Sequence, residues 1–518
     1  MDFIGGDSIF GLIGNLKYNT KSNELKNTLE KYKLKKSLSN NINMFKDILK
    51  DDDTVVYRKF KNKDSSLDFC LVFINGMTDR KTINESIIYS ITEGKLNYCE
   101  ENFLDELVEK IIIADDVKKT EVVEDLTQNL FYGESILLIE GFDEGIIINT
   151  KGWKDRSLSE PLSETIVKGP REGFNESIIT NISLVRRKIN STSLKFKFRQ
   201  LGVRTRTKIC IAYVEGIAND KILSELEKRL DGIDIDGIFS TGVIQEFIGD
   251  NPLSPFRTVG TTERPDVIAA KLLEGRIAIF CDGSPVVLTV PFLFIEYFQV
   301  NEDYYDQYIY ASINRILRII AFIITVSTPS IYVASTVFHK EMIPTKLALS
   351  IYLAREGVPL PTVIECIVML ITFEIIREAG IRLPKHFGGA VSMVGALALG
   401  ESAVNAKLVS APMVIVVAFT GISGLVLYEL KAAIIIIRSS FLLLSSVFGL
   451  YGFIFSVMGL LIHLMAIRSF GVPYMLKLTD LNTHNIVDTA IRLPWWYLKY
   501  RTKIISKDSI RINGNKGR

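Results

Sequence analysis

Histidine is nearly absent from this chain. There are four, His339, His386, His463 and His484, and none precedes residue 339. The first half therefore has no imidazole for acid–base work. It also lacks HExxH, GxSxG, a GxxxxGK[ST] phosphate loop and a GxGxxG turn after a strand. Its paired carboxylates, such as Asp115 and Asp116, are adjacent and would not share one helical face. No catalytic residue, cofactor or metal site is expected, and the chain is not read as an enzyme. Cysteine is equally sparse. Cys70, Cys99, Cys210, Cys281 and Cys366 are odd in number, far apart and without a CxxC, which suggests neither a disulfide framework nor a zinc site. Net charge is small too: 61 Lys and Arg against 59 Asp and Glu leave +2. That is far from the concentrated basic surface of a nucleic-acid binder, so no nucleic-acid partner is expected. No basic region precedes the apolar residues of Met1 to Gly14, so a signal peptide is not convincing there.

What is abundant is apolar sequence, unevenly spread. The 518 residues are too many for one ordinary domain. The mean hydropathy of +0.22 averages a polar stretch up to Ser284, an apolar one from Pro285 to Phe470, and a polar, basic end. The expected architecture is an α/β soluble N-terminal region of two similar subdomains, followed by a polytopic α-helical membrane domain and a short basic C-terminal tail.

The doubling is read from repeated strings. Cys70-Leu71-Val72-Phe73-Ile74-Asn75-Gly76 resembles Cys210-Ile211-Ala212-Tyr213-Val214-Glu215-Gly216, 140 residues on. Gly133-Glu134-Ser135-Ile136-Leu137-Leu138-Ile139-Glu140-Gly141 resembles Gly275-Arg276-Ile277-Ala278-Ile279-Phe280-Cys281-Asp282-Gly283, 142 residues on. The first pair reads as a buried strand feeding a helix, the second as a hairpin around an acid–Gly turn. Cys70, Cys210 and Cys281 are expected as small core residues. The segmentation expected is a variable, partly disordered segment over 1–55, subdomain one over 56–150 and a linker with a helix over 151–204. Subdomain two follows over 205–299, a transmembrane helical domain over 300–470 and the tail over 471–518. The linker helix is marked by Ile178, Ile182, Val185 and Ile189. Arg186, Arg187 and Lys188 near its end read as a solvated basic face that suits the helix dipole.

In the apolar half, Phe292, Phe294, Tyr297, Phe298, Tyr304, Tyr305, Tyr308 and Tyr310 read as an aromatic interface belt. Spans are expected over 316–338, 389–405, 411–429 and 441–467, the last as one long tilted helix. The 361–379 segment stays open between a span and an interfacial segment. Gly395 and Ala396 are small enough for close helix approach. Pro361 and Pro412 hint at broken helices of the transporter kind. The unusual feature is charge inside the apolar runs. Glu365, Glu374, Glu378 and Glu401, with Asn405 four residues after Glu401, are the candidate pore or coupling residues. An ionisable group at bilayer depth costs about 2.5–3.5 kcal/mol on insertion scales, so it faces protein or water. Local pairing with Arg377 or Arg382 and a water-lined face are both open. Lys477, Arg492, Lys499, Arg501 and Lys503 place the tail in the cytosol by the positive-inside rule. A cytosolic head then asks for an even number of crossings.

Particular motifs then resemble a known family. They include Gly169-Pro170-Arg171-Glu172-Gly173-Phe174, Asp250-Asn251-Pro252, Thr262-Glu263-Arg264-Pro265-Asp266 and Glu302-Asp303-Tyr304-Tyr305. Arg355-Glu356-Gly357-Val358-Pro359, Arg377-Glu378-Ala379-Gly380-Ile381-Arg382-Leu383-Pro384 and Gly471-Val472-Pro473-Tyr474 follow in order. Over residues 60 to 500 the chain resembles the A subunit of GerA-type spore germinant receptors, the GerABKA family. Leu360 stands where that family usually has Phe, and Glu401 where Gln is common. The resemblance implies an integral protein of the spore inner membrane, with head and tail on the cytoplasmic (core) side. It implies a transporter-like B subunit and a lipoprotein C subunit as partners. It also implies a homo-oligomer in membrane lipid that forms a germinant-gated channel for monovalent cations. The alternatives are an accessory homologue of the same family working with the SpoVA dipicolinate-release system, and a membrane transporter.

Overall fold

The computed structural model describes residues 31–64, 67–94, 103–114, 116–152, 161, 164, 166–382, 395, 398–476, 488–498, 500–502, 504–508 and 510–511. The head contains the same unit twice. The first copy runs α1 (Leu38–Ile48), β1 (Val55–Lys61), β2 (Asp68–Ile74), a helical stretch from Thr82, β3 (Val117–Thr120), α2 (Val123–Phe131), β4 (Ser135–Ile139) and β5 (Gly145–Ile148). The second runs α3 (Ile178–Lys188), β6 (Leu194–Leu201), β7 (Thr207–Val214), α4 (Asp220–Asp231), α5 (Thr241–Ile248), β8 (Gly260–Thr262), α6 (Pro265–Leu273), β9 (Ile277–Cys281) and β10 (Val287–Val290). Each makes a five-stranded sheet, ordered β1-β2-β4-β5-β3 and β6-β7-β9-β10-β8. Neighbouring strands are antiparallel throughout both sheets. The repeated strings are the interior strands, β2 and β4 with their counterparts β7 and β9.

These strands read as unbroken apolar runs because helices cover both faces of each sheet. In the first copy α1 and α2 bury the face of Cys70, Val72, Ile136 and Leu138. Ile83, Ile87, Ile91 and Phe103 bury the face of Phe69, Leu71, Leu137 and Ile139. In the second, α3 and α6 cover Cys210, Ala212, Ala278 and Phe280. The opposite face, with Ile209, Ile211 and Ile279, merges into the apolar helices.

The acid–Gly turns gain a second role. Glu140 Oε2 accepts the N–H of Leu38 at 2.7 Å, and Asp282 Oδ1 that of Ile178 at 3.2 Å. Each carboxylate thus meets an otherwise unpaired N–H at the start of α1 or α3, where negative charge is favoured. Gly141 and Gly283, at φ +94° and +82°, supply the left-handed backbone and donate to Lys36 O and Glu176 O.

The linker helix is therefore the first element of the second copy, as α1 is of the first, and the first unit begins at Leu38 and not at residue 56. The basic face also needs correction. Arg186 is fully buried and binds Asp52 Oδ2 at 2.7 Å and Thr54 Oγ1 at 2.9 Å. Its guanidinium lies over the rings of Phe131 and Phe196. With the Asp53 N–H donating to Phe196 O at 3.0 Å, it clamps one copy to the other.

Beyond the head come α7 (Tyr308–Val337), α8 (Thr345–Ala354), α9 (Thr362–Arg382), α10 (Ala411–Leu425), α11 (Lys431–Phe448) and α12 (Leu450–Ala466). The 361–379 segment is thus one helix, and α7 runs through Pro329 unbroken. Pro361 precedes α9 and Pro412 lies in the first turn of α10, so neither breaks a helix. The start of the 389–405 expectation, with Ala396, lies outside the described residues; 398–405 is helical. Among the described residues a Cβ on Gly395 would meet nothing within 4 Å, whereas one on Gly421 would run into the Phe373 ring. Close helix approaches among the described residues are at Gly421 and at Gly452, where a Cβ would run into Leu444 O of α11.

The long tilted helix over 441–467 is not observed. The chain reverses at Gly449, and the Phe441 and Phe453 rings lie 5.8 Å apart. Twelve residues of straight helix would separate them by about 18 Å. The aromatic belt is corrected in part. Phe292, Phe294, Tyr297 and Phe298 are buried in the core shared by the second copy and α7, α11 and α12. Tyr308 and Tyr310 remain exposed.

Candidate functional site

The charges within the apolar helices are joined in pairs. Glu365, on α9, is fully buried. Its Oε1 accepts the backbone N–H and the hydroxyl of Ser410, both at 2.6 Å. Ser410 is the N-cap of α10, so the carboxylate sits at that helix's positive end. Arg355 Nη2 lies 3.7 Å from Glu365 Oε2, and its Nη1 donates to Thr362. This accounts for Arg355-Glu356-Gly357-Val358-Pro359: the arginine reaches Glu365, and Gly357, at φ +87°, turns the chain against Lys407.

Glu374 and Glu378 lie one turn apart on α9 and both face α11. Glu374 pairs with Arg438 at 2.8 Å and with Arg377. Glu378 pairs with Arg382 at 2.9 Å and Lys431 at 3.3 Å. Local pairing holds for both, and Arg438 is a buried partner. Glu401 and Asn405 are exposed on the 398–405 helix. Among the described residues no hydrogen bond or ion pair links them to the other three. The structure thus makes three paired acids and one acid–amide face on the chain's surface.

A second cluster, not anticipated from sequence, lies where head, α7 and tail meet. Arg315, on α7, is fully buried between Asp303 at 2.9 Å and Asp488 at 2.6 Å. Arg318 joins Asp303 at 2.9 Å. Tyr304 donates its hydroxyl to Asp488 Oδ2 at 2.6 Å, and burial holds its pKa well above the usual phenol range, so it stays a donor. Tyr305 donates to Asp266 Oδ2 at 2.7 Å, and Arg264 binds Asp266 at 2.9 Å and Pro170 O at 2.7 Å. The motifs around Gly169, Thr262 and Glu302 are therefore parts of one joint. Gly471-Val472-Pro473-Tyr474 makes a separate contact with the head: Phe470 donates its N–H to Asp250 Oδ2 at 2.8 Å, and Tyr474 its hydroxyl to Arg257 O at 2.6 Å.

Beside it is a cleft of about 220 Å³ lined by Lys168, Glu302, Asp306, Tyr310, Asn314 and Arg318. Its charges are satisfied internally: Lys168 pairs with Asp306 at 2.9 Å, and Glu302 accepts the Val167 and Lys168 N–H groups. Among the described residues there is no group of three or more His, Cys, Asp or Glu that could hold a metal ion. The sequence signal that could have revealed the joint was Arg315 and Arg318, two arginines one helical turn apart on an otherwise apolar helix.

The family model of the Bacillus/Clostridium GerA spore germination protein matches residues 43–504. Spore germination protein KA of Bacillus subtilis is 39% identical over 91% of this chain and 87% of its own length. The membrane protein YfkQ of the same organism is 35% identical over 89% of each chain. The crystal structure of the N-terminal domain of the A subunit of the Bacillus megaterium spore germinant receptor GerK3 is 34% identical. It covers 51% of this chain and 98% of its own, with a TM-score of 0.41.

Proposed function

Since this chain belongs to the GerA family of spore germination proteins, we propose that it is the A subunit of a nutrient germinant receptor in the spore inner membrane. It works there as a homo-oligomer that forms a germinant-gated path for monovalent cations, with a transporter-like B subunit and a lipoprotein C subunit. The observation that carries this is the match across residues 43–504, which takes in head, apolar helices and tail together.

The membrane assignment draws on α7 and on Tyr428–Phe448, both long and apolar enough to cross a bilayer, and on the shorter apolar helices α8, α10 and α12. The tail touches the head, since Arg501 Nε donates to Leu273 O at 2.6 Å. That contact supports placing both ends of the apolar block on one side, with an even number of crossings, and basic residues favour the cytoplasmic (core) side. Gly449 helps restore that parity by turning one expected pass into two.

Ion pairing sorts the candidate acids. Glu365, Glu374 and Glu378 each have a cationic neighbour, which offsets the burial cost of a lone charge and ties helices together. We assign these to coupling. Glu401 and Asn405, exposed on the single chain, are free to face an oligomer axis, where a ring of carboxylates would select cations. A transporter would need matched broken helices, and the two prolines that hinted at them stand at helix starts. The test is potassium efflux from liposomes holding the purified protein. Glu401→Gln with Asn405→Ala should lower the flux several-fold while the oligomer stays intact. Unchanged flux would remove this pair from the path.

A further inference from the structure

The two copies in the head share a slot that is filled in different ways. In the first copy the chain leaves β5 and runs straight on. Lys151 bridges antiparallel to Thr78, Gly152 donates its N–H to Met77 O at 3.1 Å, and Thr150 is buried. In the second copy β10 leads instead into Pro291 and the apolar block, so the following residues are drawn away. The same slot is then occupied from the far end of the chain. Ser506 bridges antiparallel to Ala218, Lys507 donates its N–H to Ile217 O at 2.8 Å, and Ile505 is buried. Met77 and Ile217, like Thr78 and Ala218, are 140 residues apart, the spacing of the repeat itself. The receiving backbone is therefore equivalent in the two copies.

Side chains around the second slot fit this occupant. Asn219 Nδ2 donates to Ile504 O at 3.0 Å. Lys507 pairs with Asp220 at 2.8 Å and Arg511 with Glu274, so a basic segment meets an acidic rim. A Cβ on Gly275 would come within 2.9 Å of the Ser506 Cβ. Only a glycine there leaves room for the segment.

We propose that the slot beside Ile217–Asn219 is a docking site for a short basic peptide, and that the chain's own residues 504–507, a turn at Ile504 and Ile505 leading into the bridging Ser506, occupy it as a detachable strap. The strap completes the second copy as residues 150–152 complete the first. Backbone bonding fixes its register and the rim selects its charge, the logic of an added strand. It also adds to the ties that Phe470, Tyr474 and Arg501 make between the end of the apolar block and the head. The five strands of the sheet are complete without it, and the Lys507–Asp220 pair is exposed and therefore weak, so the strap can leave while the sheet stays folded. This inference stands apart from the proposed function.

Two measurements test it. Antiparallel partners have Cα atoms about 4.5–5.5 Å apart, within disulfide reach. Ala218→Cys with Ser506→Cys in the detergent-solubilised full chain should cross-link within one chain under mild oxidation. Adding Lys507→Pro, which removes the donor, should cut that yield several-fold. Absence of the cross-link, or one mainly between two chains, would overturn the assignment. Second, a labelled peptide of residues 501–511 should bind saturably to a chain ending at Tyr500 and not to the intact chain. Equal binding to both, or none to the shortened chain, would refute a detachable strap. A shortened chain that failed to fold would refute detachment too, leaving the cross-link to decide the slot.

Discussion

Glu164 carries a carboxyl group that burial pushes up to about 7, with Glu429 and Glu263 adding to the rise. The Thr262 hydroxyl, which donates at 2.6 Å, and Lys271 pull the other way without reversing it. Between the ordinary carboxylate value and about 7 the folded chain holds a proton that the unfolded chain releases. Stability from this group is therefore present at low pH, falls as pH rises through that window, and is fully lost above it. Glu164→Gln, neutral at every pH, should flatten this part of the profile and raise the Tm relative to the parent at pH 8. Melting curves at pH 5 and pH 8 decide it, and an equal pH drop in both proteins would refute it. The same attention to surroundings separates Glu365 from Glu401. Both lie in apolar sequence, yet one is enclosed by Ser410 and Arg355 and the other is exposed.

At the scale of elements the instructive case is the hairpin of α11 and α12. The residues from Ala432 to Ile467 are apolar nearly throughout and hold no proline, so hydropathy gave no sign of a reversal. Gly449 makes it, at φ +60° and ψ −138°, a region that other residues enter at a cost of about 1–3 kcal/mol. A methyl group there would also sit 2.8 Å from His339 Cε1 and 3.0 Å from Phe338 Cβ. Gly449→Ala should therefore lower the Tm of the detergent-solubilised chain by several degrees. Gly459→Ala, where a Cβ would meet nothing within 4 Å, should leave it unchanged. Equal effects of the two would argue against a strained turn at Gly449. The acid–Gly hairpins behave oppositely. Their signal was local and complete, and the structure added only that each acid also meets a helix start.

Across the whole molecule the two copies are held by a buried charge. Removing Asp52 would leave the Arg186 charge enclosed beside the Thr54 hydroxyl without its carboxylate, a defect worth about 3–5 kcal/mol. Replacing both residues by apolar ones of similar size should restore much of that loss. Hydrogen exchange gives the readout. In Asp52→Ala the Asp53 and Phe198 amides, bonded to Phe196 O and Asp53 Oδ2, should exchange markedly faster. With Asp52→Leu and Arg186→Met together they should be protected again. Unchanged protection in the single variant would show that the copies do not depend on this pair. The joint at Arg315 applies the same physics between head, α7 and tail.

The sequence by itself determined the doubled head, the interior strands, the turn glycines, the apolar block and the family, because each is written in local pattern or ordered motif. Sheet order, the Arg186 and Arg315 clamps, the pairing of Glu374 with Arg438 and the tail in its slot were decided only by tertiary structure. The physical reason is distance along the chain. A buried charge is acceptable only with a partner, and in the three pairs Glu374–Arg438, Arg186–Asp52 and Arg315–Asp488 the partner stands 64, 134 and 173 residues away. No window of sequence contains both members, so the chain has to fold before either can be assigned.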